Sequence, residues 1–327
     1  MKLLFILPVL LLVQNKVLKN DKDLPQLEPG FKIEADGKPI VLSIGHAAPF
    51  VIDYDGDGIK DLVAGEFDDG RARIYLNTGT NKAPKFKNFT YLQAGGEDAK
   101  VPPFCCIGFD PSFADLNGDG ITDVISGQFS GGFINFYEGT GKHPMQFKKG
   151  VKLAQPELEH GLAPGNQTWL MRTANFIDFD SDGDYDLVWG NAEGAVMYTE
   201  NIGTQTAYKF AKTVPLNAEG KPVAAGSKSD PLPVDWDGDG IMDLLVGTES
   251  SGIMFFRGKA KNSRDFYPGV SVWPTGEKEP YPGYRVRLAT NDWNEDGKLD
   301  LLVGNCEETM IDDQRATIGN VYVFLRK

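Results

Sequence analysis

The sequence predicts an all-β fold, a five-bladed β-propeller closed by an N-terminal strand that pairs into the last blade. Three observations predict it. A nine-residue acidic motif recurs five times, short apolar runs between turn residues fill each repeat, and the last repeat ends one strand short while an unmatched strand stands at the N-terminus.

The motifs are "DYDGDGIKD" (53–61), "DLNGDGITD" (115–123), "DFDSDGDYD" (178–186), "DWDGDGIMD" (235–243) and "DWNEDGKLD" (292–300), with starts 62, 63, 57 and 57 residues apart. A tandem period near 60 makes one array over residues 30–327, rather than two or three unrelated domains, the simpler organisation.

Within each period the apolar residues alternate or run in short blocks. In the first repeat "APFVID" enters the loop, "DLVAGE" leaves it, and "RARIYLNTG" and "KFKNFTYLQ" follow, which implies four strands. The Gly density and the β-branched and aromatic content disfavour helical repeats. Four antiparallel strands repeated radially form a propeller, which leaves each blade only short edges. Phe86, Phe147, Phe210 and Phe266 stand 31 to 33 residues after the starts of four of the loops and are expected to open the fourth strand. The fifth repeat lacks this element, whereas "FKIEADGKPIV" from Phe31 resembles the outer part of the third repeat and is expected to pair with residues 320–326.

Four carboxylates within nine residues repel one another unless a cation sits among them. Oxygens at positions one, three and five with Gly at six suit calcium, a hard ion that takes six to eight oxygens. The expected ligands at positions one, three, five and nine are Asp53, Asp55, Asp57 and Asp61; Asp115, Asn117, Asp119 and Asp123; Asp178, Asp180, Asp182 and Asp186; Asp235, Asp237, Asp239 and Asp243; and Asp292, Asn294, Asp296 and Asp300. Position seven, occupied by Ile59, Ile121, Asp184, Ile241 and Lys298, supplies a backbone carbonyl. An EF-hand would need Glu at position twelve, where Ala64, Ser126, Trp189, Val246 and Val303 stand instead. The alternative is five solvated Asp-Gly turns.

The net charge of -13 follows mostly from these loops, since 18 of the 46 acidic residues stand at their positions one, three, five and nine, and five divalent ions would bring the balance to about -3. An acidity so placed excludes nucleic acid as the expected partner. At the N-terminus one Lys precedes an apolar run, Leu3 to Val13, too short for a transmembrane span. It predicts a signal peptide over about residues 1–20, followed by a linker at 21–29 and secretion to an extracellular or periplasmic space; an uncleaved interfacial anchor is the alternative. Cys105, Cys106 and Cys306 are too few for a disulfide scaffold, and the adjacent pair is either a strained vicinal disulfide or two free thiols. Asn88 and Asn166 are Asn-x-Thr acceptors.

The Dx[DN]xDGxxD loop between strands, followed by a "D-L-hydrophobic-x-G" strand, resembles the VCBS or FG-GAP repeat propellers, a group that includes integrin alpha-subunit heads. The resemblance spans about residues 30–327 and implies the fold and bound calcium. It departs from the family in its five repeats against the seven of integrin heads, and in a largely absent Phe-Gly and Gly-Ala-Pro signature. Members of the family include polysaccharide lyases, lectin-like modules and adhesion proteins, so the fold alone assigns no activity.

Two functions are weighed. One is a binding module for a glycan or an extracellular protein, and the other is an extracellular polysaccharide-degrading lyase or hydrolase. No G-x-S-x-G or HExxH motif supports the enzyme, for which acid, base and cation candidates exist in the scattered His46, His143, His160, Glu66, Arg172, Arg285 and Arg287. Binding is expected on the rim opposite the acidic loops. There Glu66, Gln128, Asn191, Thr248 and Asn305 follow the strand-ending Gly, and Trp169, Arg172, Arg285, Arg287 and His46 lie on the connections into the first strands. The plainer role for the first five is to cap strand ends.

Overall fold

The computed structural model describes residues 24–102, 108–128, 133–153, 173–249, 252–272 and 283–327. The expected signal peptide, Cys105, Cys106, His160, Asn166, Trp169 and Arg172 lie outside the described residues.

All five acidic motifs connect the first and second strands of a sheet. The first sheet is Ala48–Ile52, Asp61–Gly65, Ala72–Tyr75 and Thr90–Tyr91. The second is Pro111–Ala114, Asp123–Gly127, Ile134–Tyr137 and Val151–Leu153, and the third Thr173–Ile177, Asp186–Gly190, Val196–Thr199 and Val214–Pro215. The fourth is Asp230–Val234, Asp243–Gly247, Ile253–Phe256 and Val270–Ser271. Strands are antiparallel throughout these four sheets.

In the fifth sheet Tyr284–Asn291, Asp300–Ile311 and Gln314–Phe324 come from the C-terminal repeat, and the outer edge is supplied from the other end of the chain. Phe31 and Lys32 pair with Val323 and Tyr322, and Val41–Ser43 pairs with the same strand further along. The expected N-terminal completion is therefore present. The segment expected as a linker is docked from Leu24 onward: Leu27 bridges Arg326, and Glu28 N donates to Leu325 O.

The second strands explain why the sheets stack. Their sequences, such as "DLVAG" and "DLLVG", are buried along their whole length, because apolar neighbours cover both faces. Core clusters form between successive sheets: Val63 with Val124, Ile125 with Leu187, Val188 with Leu244, Leu245 with Leu301, and Leu302 with Leu62. The first strands likewise neighbour one another in order, and that of the fifth sheet lies beside that of the first.

The glycine five residues into the second strand has a packing cause in the first, third and fifth sheets. A Cβ on Gly65 would lie 2.0 Å from Phe109 O, one on Gly190 2.0 Å from Ser229 O, and one on Gly304 2.0 Å from Ala47 O, all backbone atoms entering the next sheet. Only hydrogen fits there.

The conserved-offset phenylalanines do not open the fourth strands. Phe86, Phe147, Phe210 and Phe266 form bridges with Asn77, Gly139, Asn201 and Gly258, and the fourth strands begin four residues later, at Thr90, Val151, Val214 and Val270. Phe86, Phe147 and Phe266 are buried there, and Phe210 is half-buried.

Candidate metal loops and the opposite rim

Each acidic loop is wound by its own carboxylates. In the first, Asp53 accepts from Gly56 N at 2.8 Å and Gly58 N at 2.9 Å, Asp55 Oδ1 from Asp57 N, and Asp57 Oδ1 from Ile59 N. These bonds turn the side chains inward, and positions four and six take left-handed backbone. Position four is Gly56, Gly118 and Gly238, but Ser181 and Glu295 hold it in the third and fifth loops with φ of 63° and 55°. Ligand oxygens of Asp53, Asp55 and Asp57 lie within 4.8 Å of one another, as do those of Asp178, Asp180 and Asp182 and of Asp235, Asp237 and Asp239. In the second and fifth loops the third position is Asn117 or Asn294, whose amide oxygen accepts the same backbone bond.

These residues fit a calcium ion. In the third loop Asp180 Oδ1 and Asp184 Oδ1 are buried without a hydrogen-bond partner, and burial together with the charge of Asp182 pushes both carboxyls above the usual range. A hard divalent cation would satisfy such oxygens and reverse that shift.

Position nine does not join the triplets. Asp61, Asp123, Asp186, Asp243 and Asp300 are buried, and in each both oxygens accept backbone amides. One amide belongs to position two of the same loop (Tyr54, Leu116, Phe179, Trp236, Trp293), and the other lies past the third strand (Asn77, Gly139, Asn201, Gly258, Arg326). Desolvation raises these carboxyls, to about 6 for Asp61 and Asp186 and about 7 for Asp243. The fourth aspartate thus ties the loop to the outer half of its own sheet.

At the other end of the sheets the expected ligand residues divide. Asn191 Oδ1 accepts from Ala195 N, Thr248 Oγ1 from Gly252 N, and Asn305 Oδ1 from Asn320 N, so these three cap backbone of the hairpin that follows. Gln128 is buried, with its backbone N–H on Phe133 O. Glu66 is fully buried and bonded to Arg73 Nε at 2.6 Å, with Arg71 at 3.6 Å. Burial raises its pKa, against the pull of Arg73.

His46, Arg285 and Arg287 do come together at the start of the first strands. Arg285 Nη1 lies 2.8 Å from His46 Nε2, and Arg285 Nε lies 3.1 Å from Glu249, which Lys228 also meets at 2.8 Å. The His46 ring stands 4.7 Å from that of Phe67, and its amide donates to Cys306 Sγ. Burial pushes the Cys306 thiol up to about 11. Arg287 is buried, 3.9 Å from Asp110. His143, by contrast, lies at the acidic-loop end, where its ring packs on Gly56.

Between the five first strands lies a cavity of 150 Å³, lined in part by Asp110, Asn175 and Asp230. Burial raises the Asp110 and Asp230 carboxyls, Asp110 adds its charge to the rise of Asp230, and Arg287 opposes the rise in both. Sequence reasoning missed both residues. They occupy the register five residues before the loop start, shared with Ala48, Thr173 and Arg287, so extending the repeat backward was the available signal.

Among the described residues no helix is long and apolar enough to cross a membrane. No curated protein matches the chain. Among solved structures it is similar to the Photorhabdus luminescens Tc holotoxin pore, at 14% identity over 90% of this chain with a TM-score of 0.39. It is also similar to BBS1N in complex with ARL6DN, at 11% identity over 91% of this chain and 97% of that one with a TM-score of 0.41. The V. cholerae biofilm matrix protein Bap1 is 16% identical over 89% of this chain, with a TM-score of 0.29. The chain spans 14% of the toxin chain and 42% of Bap1. The FG-GAP-like repeat model matches residues 53–126, 178–246 and 235–303, each segment beginning at the first aspartate of a loop. These segments span more than half of the sequence, and the chain belongs to the FG-GAP-like repeat family.

Proposed function

We propose that residues 30–327 form one five-bladed propeller, braced by structural calcium, that follows a signal peptide and acts outside the cytoplasm as a binding module for a glycan or a protein. The unbroken order of neighbouring first strands, fifth beside first, supports the blade count. The inward-turned carboxylates support calcium, with the position-seven backbone carbonyls completing the shell.

The binding reading rests on His46 and Arg285. Both hold left-handed backbone, φ 58° and 52°, and their side chains meet at 2.8 Å beside Glu249 and Lys228. Such backbone costs about 1–3 kcal/mol per residue and persists where the surroundings impose it, often at ligand sites. A half-buried cation and a buried imidazole beside an aromatic ring suit an anionic sugar or a carboxylate-bearing peptide. The test is a glycan array and a peptide array probed with the parent, Arg285→Ala and His46→Ala. Binding weakened at least tenfold in both variants, with parental melting, is expected. A ligand bound equally by all three proteins places the site elsewhere.

A further inference from the structure

The fourth loop differs from the first in the partners of two carboxylate oxygens. In both, the first aspartate accepts two loop glycine amides, and Oδ1 of the third and fifth positions accepts backbone N–H. In the first loop Asp55 Oδ2 and Asp57 Oδ2 meet no hydrogen-bond donor among the described residues. In the fourth loop the corresponding oxygens are both taken by one side chain: Arg257 Nε lies 2.5 Å from Asp237 Oδ2, and Arg257 Nη2 lies 2.6 Å from Asp239 Oδ2. The guanidinium bridges the two carboxylates with most of its surface covered.

Arg257 follows the third strand directly. Register places Leu76, Glu138, Glu200 and Leu325 at the same point in the other sheets, since Tyr75, Tyr137, Thr199, Phe256 and Phe324 all pair with the residue after position nine. Leu76 is exposed and brings no charge to the first loop, whereas Glu200 brings a negative charge to the third. This position therefore differs in charge from loop to loop: neutral in the first and fifth, acidic in the second and third, and cationic only in the fourth.

We propose that Arg257 is the built-in counter-ion of the fourth loop, so that this loop is folded and two of its carboxylates are held together without calcium, and it binds the ion only when the guanidinium is removed. The proposal rests on the calcium reading of the other loops. Arginine is charged at every pH the fold tolerates, and it competes for the same two oxygens that a calcium ion needs. A guanidinium tethered one residue past a strand loses little entropy in reaching them, whereas an ion must be drawn from solution.

The experiment is calcium stoichiometry by equilibrium dialysis on the full chain. Asp57→Asn is expected to lose one site, Asp239→Asn to lose none, and Arg257→Gln to gain one. Asp239→Asn keeps the oxygen that accepts Ile241 N, so it reports on the fourth loop even where Arg257→Gln fails to fold. One site lost in Asp239→Asn, or no gain in a folded Arg257→Gln, overturns the proposal and leaves calcium binding intact. A parent that binds no calcium overturns both readings.

Discussion

Phe31 lies opposite Val323, so the first strand of the described chain is hydrogen-bonded to its last. Ile33, Ile40 and Leu42, carried in by this segment, are buried against Leu62, Val321 and Val323. Each contributes about 2 kcal/mol by burial, and a domain's whole stability is about 5–15 kcal/mol. Deleting residues 30–42 is expected to lower the melting temperature sharply or to cause aggregation through the exposed edge. Parental melting of the truncated chain would show that these contacts carry no stability.

Gly304 holds the fifth sheet against the entry to the first, with Ala47 O where a Cβ would stand. That atom is backbone and moves only with its strand. Gly304→Ala is expected to cost about 1–3 kcal/mol in urea unfolding. Gly252→Ala, whose added Cβ would come no nearer than 3.4 Å to Thr248 Oγ1, serves as the control. Equal losses in the two variants would rule out the close approach as the cause.

Asp243 accepts Trp236 N at 3.0 Å and Gly258 N at 2.8 Å from within the core. In Asp243→Asn one of these amides faces an NH2 group, at a cost of about 2–3 kcal/mol for the unsatisfied buried pair. The loss is expected in chelator as well as in calcium. If it disappears in chelator, the residue acts through the ion rather than through the amides.

Asp230 is buried beside the half-buried Asp110, and desolvation holds both carboxyls above the unfolded value near 4. A raised folded pKa means that the folded chain binds more protons than the unfolded one, so stability is present at low pH and is lost as pH rises through the folded value. Asp230→Asn removes that loss. Measured in chelator between pH 4 and pH 8, the variant should gain on the parent as pH rises, by about 1.4 kcal/mol per pH unit at most. A constant difference across this range would show that Asp230 is not protonated on folding.

The sequence by itself determined the features that are local or that repeat. Positions one, three and five of each loop converge because their oxygens bind amides no more than five residues away, as in Asp53 with Gly56 and Gly58. The missing last strand was legible because a repeat declares what it lacks, and Phe31 supplied the match. Tertiary structure decided what depends on a second segment. Asp243 is a ligand by spacing, yet its partner amide at Gly258 reaches it only after two strands have paired. The glycine ending "DLVAG" reads as a turn residue until Phe109 O of the next sheet is placed beside it. Arg257 stands in no motif of the sequence and becomes the partner of Asp237 and Asp239 through strand register. His46 and Arg285 meet only when the fifth sheet closes on the first, because the residues that make such contacts are chosen by packing across the whole chain and leave no periodic trace within it.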